Sequence, residues 1–368
     1  MRTYVRGIGT AGGFGCGVEK LVSVLSTGES CTRAVTLGVK DKTEVEAQVF
    51  VSDTSALSSF IPKKSLRRIN NYSKLALLGA SLAIEDSGIK DLDRTRMGII
   101  IASGYGAMNT TFSFLDSVID EGKDEHASPI HFSNSVHNSA AAHISILMKI
   151  EGPSLTVSQF EMSFPSALIT ARRWLEEKRV DSVLLGGVDE FSNVLGYCGQ
   201  RLFKKDDLSG IKPFEFDKQT AIPGGGTAFF VLTRDTDNDS EYCIIEGVSI
   251  GKWITDKISI PEDSYLFIGA DGNKISGDKY QHFLNSKNSV AAYSPLYGSF
   301  PAASALDLAV AGVSMKKNRI FASPEYSGLK DGLRIIKEES KINHGKICCL
   351  KICEYDEYSL IRVSKNNS

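Results

Sequence analysis

The sequence has little proline and no long hydrophobic run. Ten prolines occur among 368 residues. No apolar stretch reaches about 18 residues, the length at which a membrane-spanning helix is expected. Residues 1–17 also lack an apolar segment long enough for a signal peptide. From these absences we expect a cytoplasmic protein that has no membrane partner.

An excess of positive charge is also missing. Lys and Arg together number 42 and Asp and Glu 44, so the formal net charge is -2. Proteins that bind nucleic acid without sequence preference are usually strongly basic. We therefore expect no nucleic-acid partner.

Several common catalytic and metal-binding patterns are absent. The seven cysteines are odd in number and form no CxxC pair, which predicts free thiols. His131, His137 and His143 are six residues apart, whereas one face of a helix would require a spacing of about four. No GxSxG, Walker A or HExxH motif occurs, which removes the commonest hydrolase, nucleotide-triphosphatase and zinc-protease interpretations. We expect neither a cofactor nor a metal.

What the sequence does have is glycine and an alternation of strand-like and helix-like segments. There are 33 glycines. The alternation predicts an α/β fold with parallel strands buried between helical layers. A polar stretch at 234–240 separates two blocks, which we assign as residues 1–240 and 241–368. The predicted strands are Thr3–Gly7, Met97–Ala102, Leu155–Val157, Ser182–Val188 and Thr227–Thr233, and the predicted helices are Val18–Leu25, Asn71–Ser87, Ser135–Met148 and Pro165–Lys178.

Gly7, Gly9 and Gly12 fit a GxGxxG pattern after the first predicted strand. One interpretation is a dinucleotide-binding loop at a helix N-terminus. That motif also needs an acidic residue about 20 residues further on, at the end of a second strand. Glu29 lies instead in the turn-like segment STGES. We favour a glycine-rich turn between a strand and a helix.

The most informative segment is Gly152–Leu168. A Gly-Pro turn leads into a short strand, a sharp turn and an amphipathic helix. Such a joint presents one side chain at a helix N-terminus, where the helix dipole favours a negative charge and would activate a thiol.

This segment, with Gly186–Glu190 and Lys212–Leu232, resembles a β-ketoacyl synthase of the thiolase superfamily. The family pattern is GPS-x-TV-D-T-A-C-S-S, and the position of its nucleophilic Cys is Glu161 here. The resemblance implies a thiolase-like fold, with two similar α/β halves in an αβαβα arrangement. It also implies a dimer formed through a strand near 155–157. Residues 132–138 resemble a segment of ketosynthase-like subunits from aryl-polyene-type pathways.

The chemistry of the family needs a Cys, two His and a Lys. In the resemblance, Asp271 stands at the position of the first His, Ser299 at that of the second, and Ser294 at that of the Lys. Together with Glu161, four catalytic positions are replaced. Without these groups the site cannot form and stabilise the acyl and enolate intermediates of condensation.

The resemblance therefore points to a chain-length factor. Such a subunit pairs with an active β-ketoacyl synthase that extends chains bound to acyl carrier protein, and it shapes the acyl tunnel. By the same resemblance the tunnel candidates are Met108, Thr111, Phe112, Leu115, Phe132 and His137. From spacing alone, Phe112 and Leu115 are equally compatible with a helix core.

Two alternatives remain open. The chain could be a malonyl-carrier-protein decarboxylase or an acyltransferase in its own right, using Glu161 or the nearby Ser163 or Ser166. It could also be a homodimeric binding or scaffold protein. We favour a structural Glu161, because no donor for an enolate oxygen accompanies it. Starter, product length and the identity of the partner are not encoded in any motif.

Overall fold

A computed structural model describes residues 2–38, 44–89, 92–119, 128–202, 209–234, 241–254, 258–284, 287–327 and 332–365. The strands are β1 (Thr3–Gly12), β2 (Gly15–Cys16), β3 (Arg33–Leu37), β4 (Val45–Val49), β5 (Met97–Ala102), β6 (Ser154–Val157), β7 (Ser182–Asp189), β8 (Gly226–Thr233), β9 (Cys243–Lys252), β10 (Tyr265–Ile268), β11 (Ser289–Ala291), β12 (Arg319–Ile320), β13 (Arg334–Ile335), β14 (Ser340–Lys341), β15 (Lys346–Ile352) and β16 (Glu357–Ser364). The helices are α1 (Val18–Thr27), α2 (Asn71–Ser87), α3 (Met108–Ile119), α4 (Pro129–Ser135), α5 (Ser139–Met148), α6 (Ser163–Glu176), α7 (Asn193–Leu202), α8 (Lys274–Tyr280) and α9 (Ser304–Lys317).

The main sheet contains the same strand arrangement twice. Its order is β13-β11-β10-β15-β16-β9-β1-β8-β7-β5-β6. In the first half β5 pairs in parallel with β6 and β7, whereas β7, β8 and β1 follow antiparallel. In the second half β10 pairs in parallel with β11 and β15, and then β15, β16 and β9 follow antiparallel. The two halves join where Thr3–Val5 of β1 pairs with Cys243–Ile245 of β9.

Helices cover both faces of each half and share one layer between them. α2 and α5 pack on the outer face of the first half, and Tyr280 of α8 packs on the outer face of the second. α6 and α9 lie between the halves in the largest core cluster. β10 shows how a strand serves two layers: Phe267 faces the central helices, whereas Leu266 faces outward, because successive side chains alternate across a sheet. The observed layers are those of the predicted αβαβα arrangement.

The sequence predicted most of the elements of the first half. Asn71–Ser87 and Met97–Ala102 form the expected helix and strand with the expected bounds. The other predicted elements occur with shifted ends. The predicted helix over Ser135–Met148 corresponds to α5 and begins only at Ser139, because Val136 has an extended backbone after the end of α4.

The prediction of a turn at Gly7–Gly12 was wrong. These residues continue strand β1, which ends in a tight hairpin with β2. Glycine is needed there because α2 crosses the strand closely. A Cβ added at Gly9 would lie 2.1 Å from the carbonyl oxygen of Gly79 in α2, and one added at Gly7 would lie 2.3 Å from that of Ala83.

The division at residue 240 falls outside the described residues, as does most of the polar segment predicted to separate the blocks. The assignment of 1–240 and 241–368 as two units stays a prediction.

The seven cysteines are free thiols, as the count and spacing predicted. No helix within the described ranges is long and apolar enough to span a bilayer.

Candidate functional site

Glu161 lies at a sharp joint between the edge strand β6 and the central helix α6. A short turn over Phe160–Met162 connects the two elements. Phe160 adopts φ 44°, a left-handed conformation that is costly for a bulky residue and recurs at functional sites. The Ser163 hydroxyl secures the turn, accepting from the Gln159 N–H at 2.7 Å and donating to the Phe160 carbonyl at 2.6 Å.

Asp189, at the end of β7, holds two loops around this joint. Its carboxylate accepts hydrogen bonds from the Ser103 hydroxyl at 2.7 Å, the Tyr105 N–H at 3.0 Å and the Ala302 N–H at 2.8 Å. Burial raises the pKa of Asp189, and these donors oppose that shift. The carboxylate thus fixes the backbone after β5 and the turn before α9 on either side of Glu161.

A buried ion pair occupies the opposite wall of the site. Lys351 Nζ lies 3.1 Å from Asp271 Oδ2 and donates to the Gly269 carbonyl at 2.8 Å. The Ser299 hydroxyl donates to the same Asp271 oxygen at 2.8 Å. Burial alone lowers the pKa of Lys351, but Asp271 and the neighbouring acids reverse this and raise it above its usual value. The Lys351 side chain therefore keeps its charge and is held by Asp271 and Gly269.

Behind this pair lies a second buried carboxyl group. The Tyr297 hydroxyl donates to Asp307 Oδ1. Burial raises the pKa of Asp307 to about 6, while Tyr297 and Lys351 act in the opposite direction.

Glu161 and the Asp271–Lys351–Ser299 network line one cavity of about 280 Å³. Glu161, Asp271 and Ser299 all line it, so the structure brings together three of the four positions singled out from the sequence. Ser294 is buried beneath the wall and donates to the Ala270 carbonyl at 2.6 Å. Further lining residues are Tyr105, Phe160, Glu190, Phe191, Ser192, Phe300, Pro301, Lys351, Glu354 and Tyr355.

Glu161 is half-buried at this cavity. Burial raises the pKa of its carboxyl group, Lys351 lowers it, and Asp271 and Glu354 add to the increase. The described lining residues include no cysteine and no histidine. The wall thus offers carboxylates, hydroxyls, the amides of Gln200, Gln219 and Asn273, and one ammonium group already bound to Asp271. This is a poor set for nucleophilic acyl transfer.

The nearby serines suggested as nucleophiles have structural partners. Ser163 is fully buried in the turn described above. Ser166 donates to Gln159 Oε1 at 2.9 Å on an exposed part of α6. Neither is hydrogen-bonded to a general base among the described residues.

Comparison with known proteins agrees with the resemblance noted in the sequence. The profile of the family described as "Beta-ketoacyl synthase, N-terminal domain" matches residues 4–238. The chain belongs to the β-ketoacyl synthase family.

Curated relatives are distant and longer than the matched region. A 3-oxoacyl-[acyl-carrier-protein] synthase 2 of Coxiella burnetii is 26% identical over 245 residues, which are 63% of this chain and 57% of that protein. A putative polyketide β-ketoacyl synthase 1 of Streptomyces virginiae is 27% identical over 247 residues, which are again 63% of this chain and 57% of that protein. The matched region thus spans a little over half the length of these synthases.

Solved structures match over nearly the whole chain. The ishigamide ketosynthase/chain length factor superposes with a TM-score of 0.81 at 16% identity, covering 100% of this chain and 99% of that one. A ketosynthase in complex with its chain length factor from Xenorhabdus doucetiae gives a TM-score of 0.77 at 14% identity, covering 99% of this chain and 98% of that one. These matches establish the ketosynthase fold for both halves.

The six tunnel candidates do not line the cavity of this ketosynthase-family chain. Met108, Thr111, Phe112 and Leu115 lie on α3, which has no fully buried residue, so the alternative of a helix core is not supported. Phe132 is 59% exposed and its ring lies 5.4 Å from that of Phe114. His137 packs beneath Gly106. Their role in a tunnel stays a prediction.

Sequence reasoning missed Lys351, Glu354 and Tyr105 as site residues. Lys351 carried a visible signal, because it is the one charge inside the apolar run ICCLKIC of the sequence. Glu354 and Tyr355 lie in the turn between β15 and β16. Tyr105 carried no signal, since only the loop held by Asp189 brings it to the cavity.

Proposed function

We propose that this chain is a chain-length factor, a non-catalytic ketosynthase-like subunit that pairs with an active β-ketoacyl synthase. The observation that carries the proposal is the Asp271–Lys351–Ser299 network. It fills the wall where the family resemblance places the catalytic histidines, and Glu161 stands where the nucleophile would be. Replacement of both histidines by members of one hydrogen-bonded network, with Glu161 in place of the nucleophile, is what a site kept for structure would show.

A surface suited to a partner supports the pairing. Ten of the fourteen exposed large hydrophobic side chains in the described chain lie between Leu115 and Ile169. Exposed apolar side chains that are concentrated in one part of a chain are what an interaction site requires. The members are Leu115, Val118, Ile119, Ile130, Phe132, Val136, Ile146, Leu155, Phe160 and Ile169, which we call the apolar patch.

The patch includes an open sheet edge. β6 ends the main sheet in the described part of the chain. Its Pro153 and Val157 carbonyls accept from Ile99 and Ser103 on the β5 side. Because backbone groups alternate along a strand, those of Ser154 and Thr156 point outward and can pair with a strand of a second subunit. An antiparallel partner strand at this edge would extend the sheet across the dimer.

A basic segment supports docking of a carrier protein with negative surface charge. Lys63, Lys64, Arg67 and Arg68 are exposed around a short turn before α2. None of the four forms an ion pair within the described ranges. Unpaired cations of this kind accelerate the encounter with an anionic partner.

The test is co-expression with a candidate ketosynthase that retains its Cys and both His. One partner is tagged, the complex is weighed by native mass spectrometry, and chain extension is followed with malonyl-carrier protein. We expect a one-to-one complex that extends chains, and an isolated chain that does not. A stable homodimer that ignores the ketosynthase would overturn the proposal.

The same assay examines the catalytic alternative. If the isolated chain decarboxylates malonyl-carrier protein and Glu161→Ala abolishes this, the chain is an enzyme in its own right. If Glu161→Ala leaves extension by the complex intact, Glu161 is structural. Cellular fractionation of the complex tests the expectation of a cytoplasmic location.

A further inference from the structure

A short segment between α4 and α5 connects the apolar patch to the cavity. Val136 has an extended backbone and a 43% exposed side chain, and it belongs to the patch. The next residue, His137, is half-buried and packs against Gly106. Gly106 follows Tyr105 in the loop 103–107, and Tyr105 lines the cavity. Only His137 and Gly106 therefore separate this part of the patch from a residue of the cavity wall.

The contact of His137 with Gly106 leaves no room between ring and backbone. A Cβ added at Gly106 would lie 2.8 Å from Cδ2 of the His137 ring and 2.9 Å from its Nε2. Gly106 also has φ 67°, a conformation that favours glycine. Protein interiors are close-packed, so a displacement of this ring either pushes on the loop or leaves a gap beside it.

The loop that carries Tyr105 is also held by hydrogen bonds. The Tyr105 N–H donates to Asp189 at 3.0 Å. The Gly106 N–H donates to the Ser103 hydroxyl at 2.8 Å. The Tyr105 ring meets the Phe160 ring edge to face, with 6.3 Å between the centroids. The position of Tyr105 thus depends on these contacts and on the imidazole ring that packs against Gly106.

The segment that carries His137 is fixed to helix α2 and to the chain before it. The His137 carbonyl accepts from the hydroxyl of Tyr72, a fully buried residue of α2, at 3.2 Å. The Asn134 carbonyl accepts from the Asn70 side chain at 2.7 Å, and the Asn134 side chain donates to the Arg68 carbonyl at 2.9 Å. A contact made at the patch is therefore passed on by packed atoms and is not absorbed by a flexible linker.

We infer that His137 is a positioning residue for Tyr105, through which contact with a partner at the apolar patch changes the cavity. Pairing that presses on Val136 moves the His137 ring against Gly106 and shifts Tyr105 in the cavity wall. The inference rests on the proposed function for its partner, whereas the contact itself is tested in the isolated chain.

The first test follows Tyr105 in the isolated chain by fluorine NMR after labelling with fluorotyrosine. The Tyr105 signal is identified by its loss in Tyr105→Phe. Gly106→Ala sets a methyl group against the His137 ring and should shift this signal by more than its linewidth. The double variant Gly106→Ala/His137→Ala should move the signal back towards its natural position.

Gly88→Ala is the matched control for this test. Gly88 has a similar φ of 61°, but nothing lies within 4 Å of an added Cβ, so the Tyr105 signal should stay in place. If Gly106→Ala and Gly88→Ala give the same Tyr105 signal, or if His137→Ala does not reverse the effect of Gly106→Ala, the His137 ring does not position Tyr105.

The second test adds the ketosynthase and uses native mass spectrometry to show that the two chains pair. We expect the Tyr105 signal of the natural chain to shift on pairing. His137→Ala should still pair and should lose most of this shift, and His137→Asn is the second variant if His137→Ala does not fold. His143→Ala removes another half-buried ring, which bonds to Asn134 at 3.1 Å, and should keep the shift.

The outcomes separate this inference from the proposed function. If the chains pair and the Tyr105 signal stays in place, or shifts equally in His137→Ala, the inference is wrong and the proposed function stands. A shift transmitted by Phe160, which belongs to both the patch and the cavity wall, would persist in His137→Ala. If no complex forms, the proposed function fails together with the partner's part in this inference, and the isolated chain decides whether His137 positions Tyr105.

Discussion

The buried pair of Lys351 and Asp271 shows how single residues can replace a reactive site. Two opposite charges at 3.1 Å, almost fully buried, compensate each other and fill space. Removing one partner leaves an uncompensated buried charge, whereas removing both in favour of apolar groups is often neutral. Each of the two buried charges is therefore tolerated only while the other is present.

We predict that Lys351→Met destabilises the chain by about 3–5 kcal/mol, the usual effect of breaking a buried pair. The double variant Lys351→Met/Asp271→Leu should recover most of that loss. Urea unfolding of the three chains measures both effects. If the double variant is as unstable as the sum of the single variants, the two side chains are not coupled.

Asp307 gives a prediction about pH. Its pKa rises from 3.8 to about 6 on folding. The folded chain then holds this proton more tightly than the unfolded chain, so its contribution to stability is present below pH 4 and is lost as pH rises to about 6. We expect the stability of Asp307→Asn relative to the natural chain to increase by up to about 3 kcal/mol from pH 4 to pH 7. Denaturant unfolding at several pH values tests this, and parallel curves for the two chains would contradict it.

Only the site residues that stand at motif positions could be predicted from the sequence. Glu161, Asp271 and Ser299 stand at aligned motif positions, and each lines the cavity. Lys351 and Tyr105 reach it through tertiary packing, from a strand interior and from a loop held by Asp189. The charge of Lys351 inside an apolar run marks it as unusual, but no local pattern shows that either residue reaches this cavity.

At the scale of elements, the contact of α2 with β1 depends on having no side chain at Gly9. The added Cβ would lie 2.1 Å from the Gly79 carbonyl oxygen. This oxygen is a backbone atom, so it can move away only if helix α2 or strand β1 shifts. We predict that Gly9→Ala costs about 1–3 kcal/mol or more, the range for overpacking a core. Gly345→Ala, where nothing lies within 4 Å and φ is not in the left-handed range, is the control and should change stability by less than about 1 kcal/mol. Thermal unfolding of both variants measures the difference, and equal melting temperatures would contradict the close packing.

Element types were predictable where one periodicity dominated. The apolar run of β5 and the N-capping residue Asn70 of helix α2 are both visible in the sequence. In the structure the Asn70 side chain accepts a hydrogen bond from the Ser73 N–H. The glycine pattern of β1 misled because strand glycines that admit a crossing helix and turn glycines look alike in sequence. Helix α9 is buried on nearly every side. It therefore has no polar face, and its sequence does not show the 3.6-residue periodicity of an amphipathic helix.

For the whole molecule, the open edge of β6 determines which partners can bind. We predict that Thr156→Pro, which removes an outward N–H and spares the hydrogen bonds to β5, lowers complex formation with the ketosynthase at least about tenfold. Ile146→Asp in the apolar patch should act likewise. Ile254→Asp is the control, because Ile254 is 64% exposed, close to the 71% of Ile146, and belongs to the second half. Native mass spectrometry reports the complex, and an undiminished yield with both patch variants would exclude this surface as the interface.

The basic segment gives a separate prediction about the carrier protein. Lys63→Glu/Arg67→Glu should slow chain extension and weaken its dependence on salt, because charges at the rim of an interface mainly affect association. The complex with the ketosynthase should form as before. Lys20→Glu/Lys341→Glu, with the same change of charge at other exposed sites, should extend chains normally. If both variants extend chains at the same rate, the basic segment does not take part in carrier-protein docking.

The position of β1 in the sheet has a consequence for synthesis on the ribosome. Strand β1 lies in the middle of the finished sheet, and its residues Tyr4–Ala11 pair with Thr227–Thr233. During translation most of this glycine-rich strand therefore stays unpaired until β8 and β9 have been made. Pairings this distant in sequence form slowly. Until then the strand is exposed to misassembly and to protease.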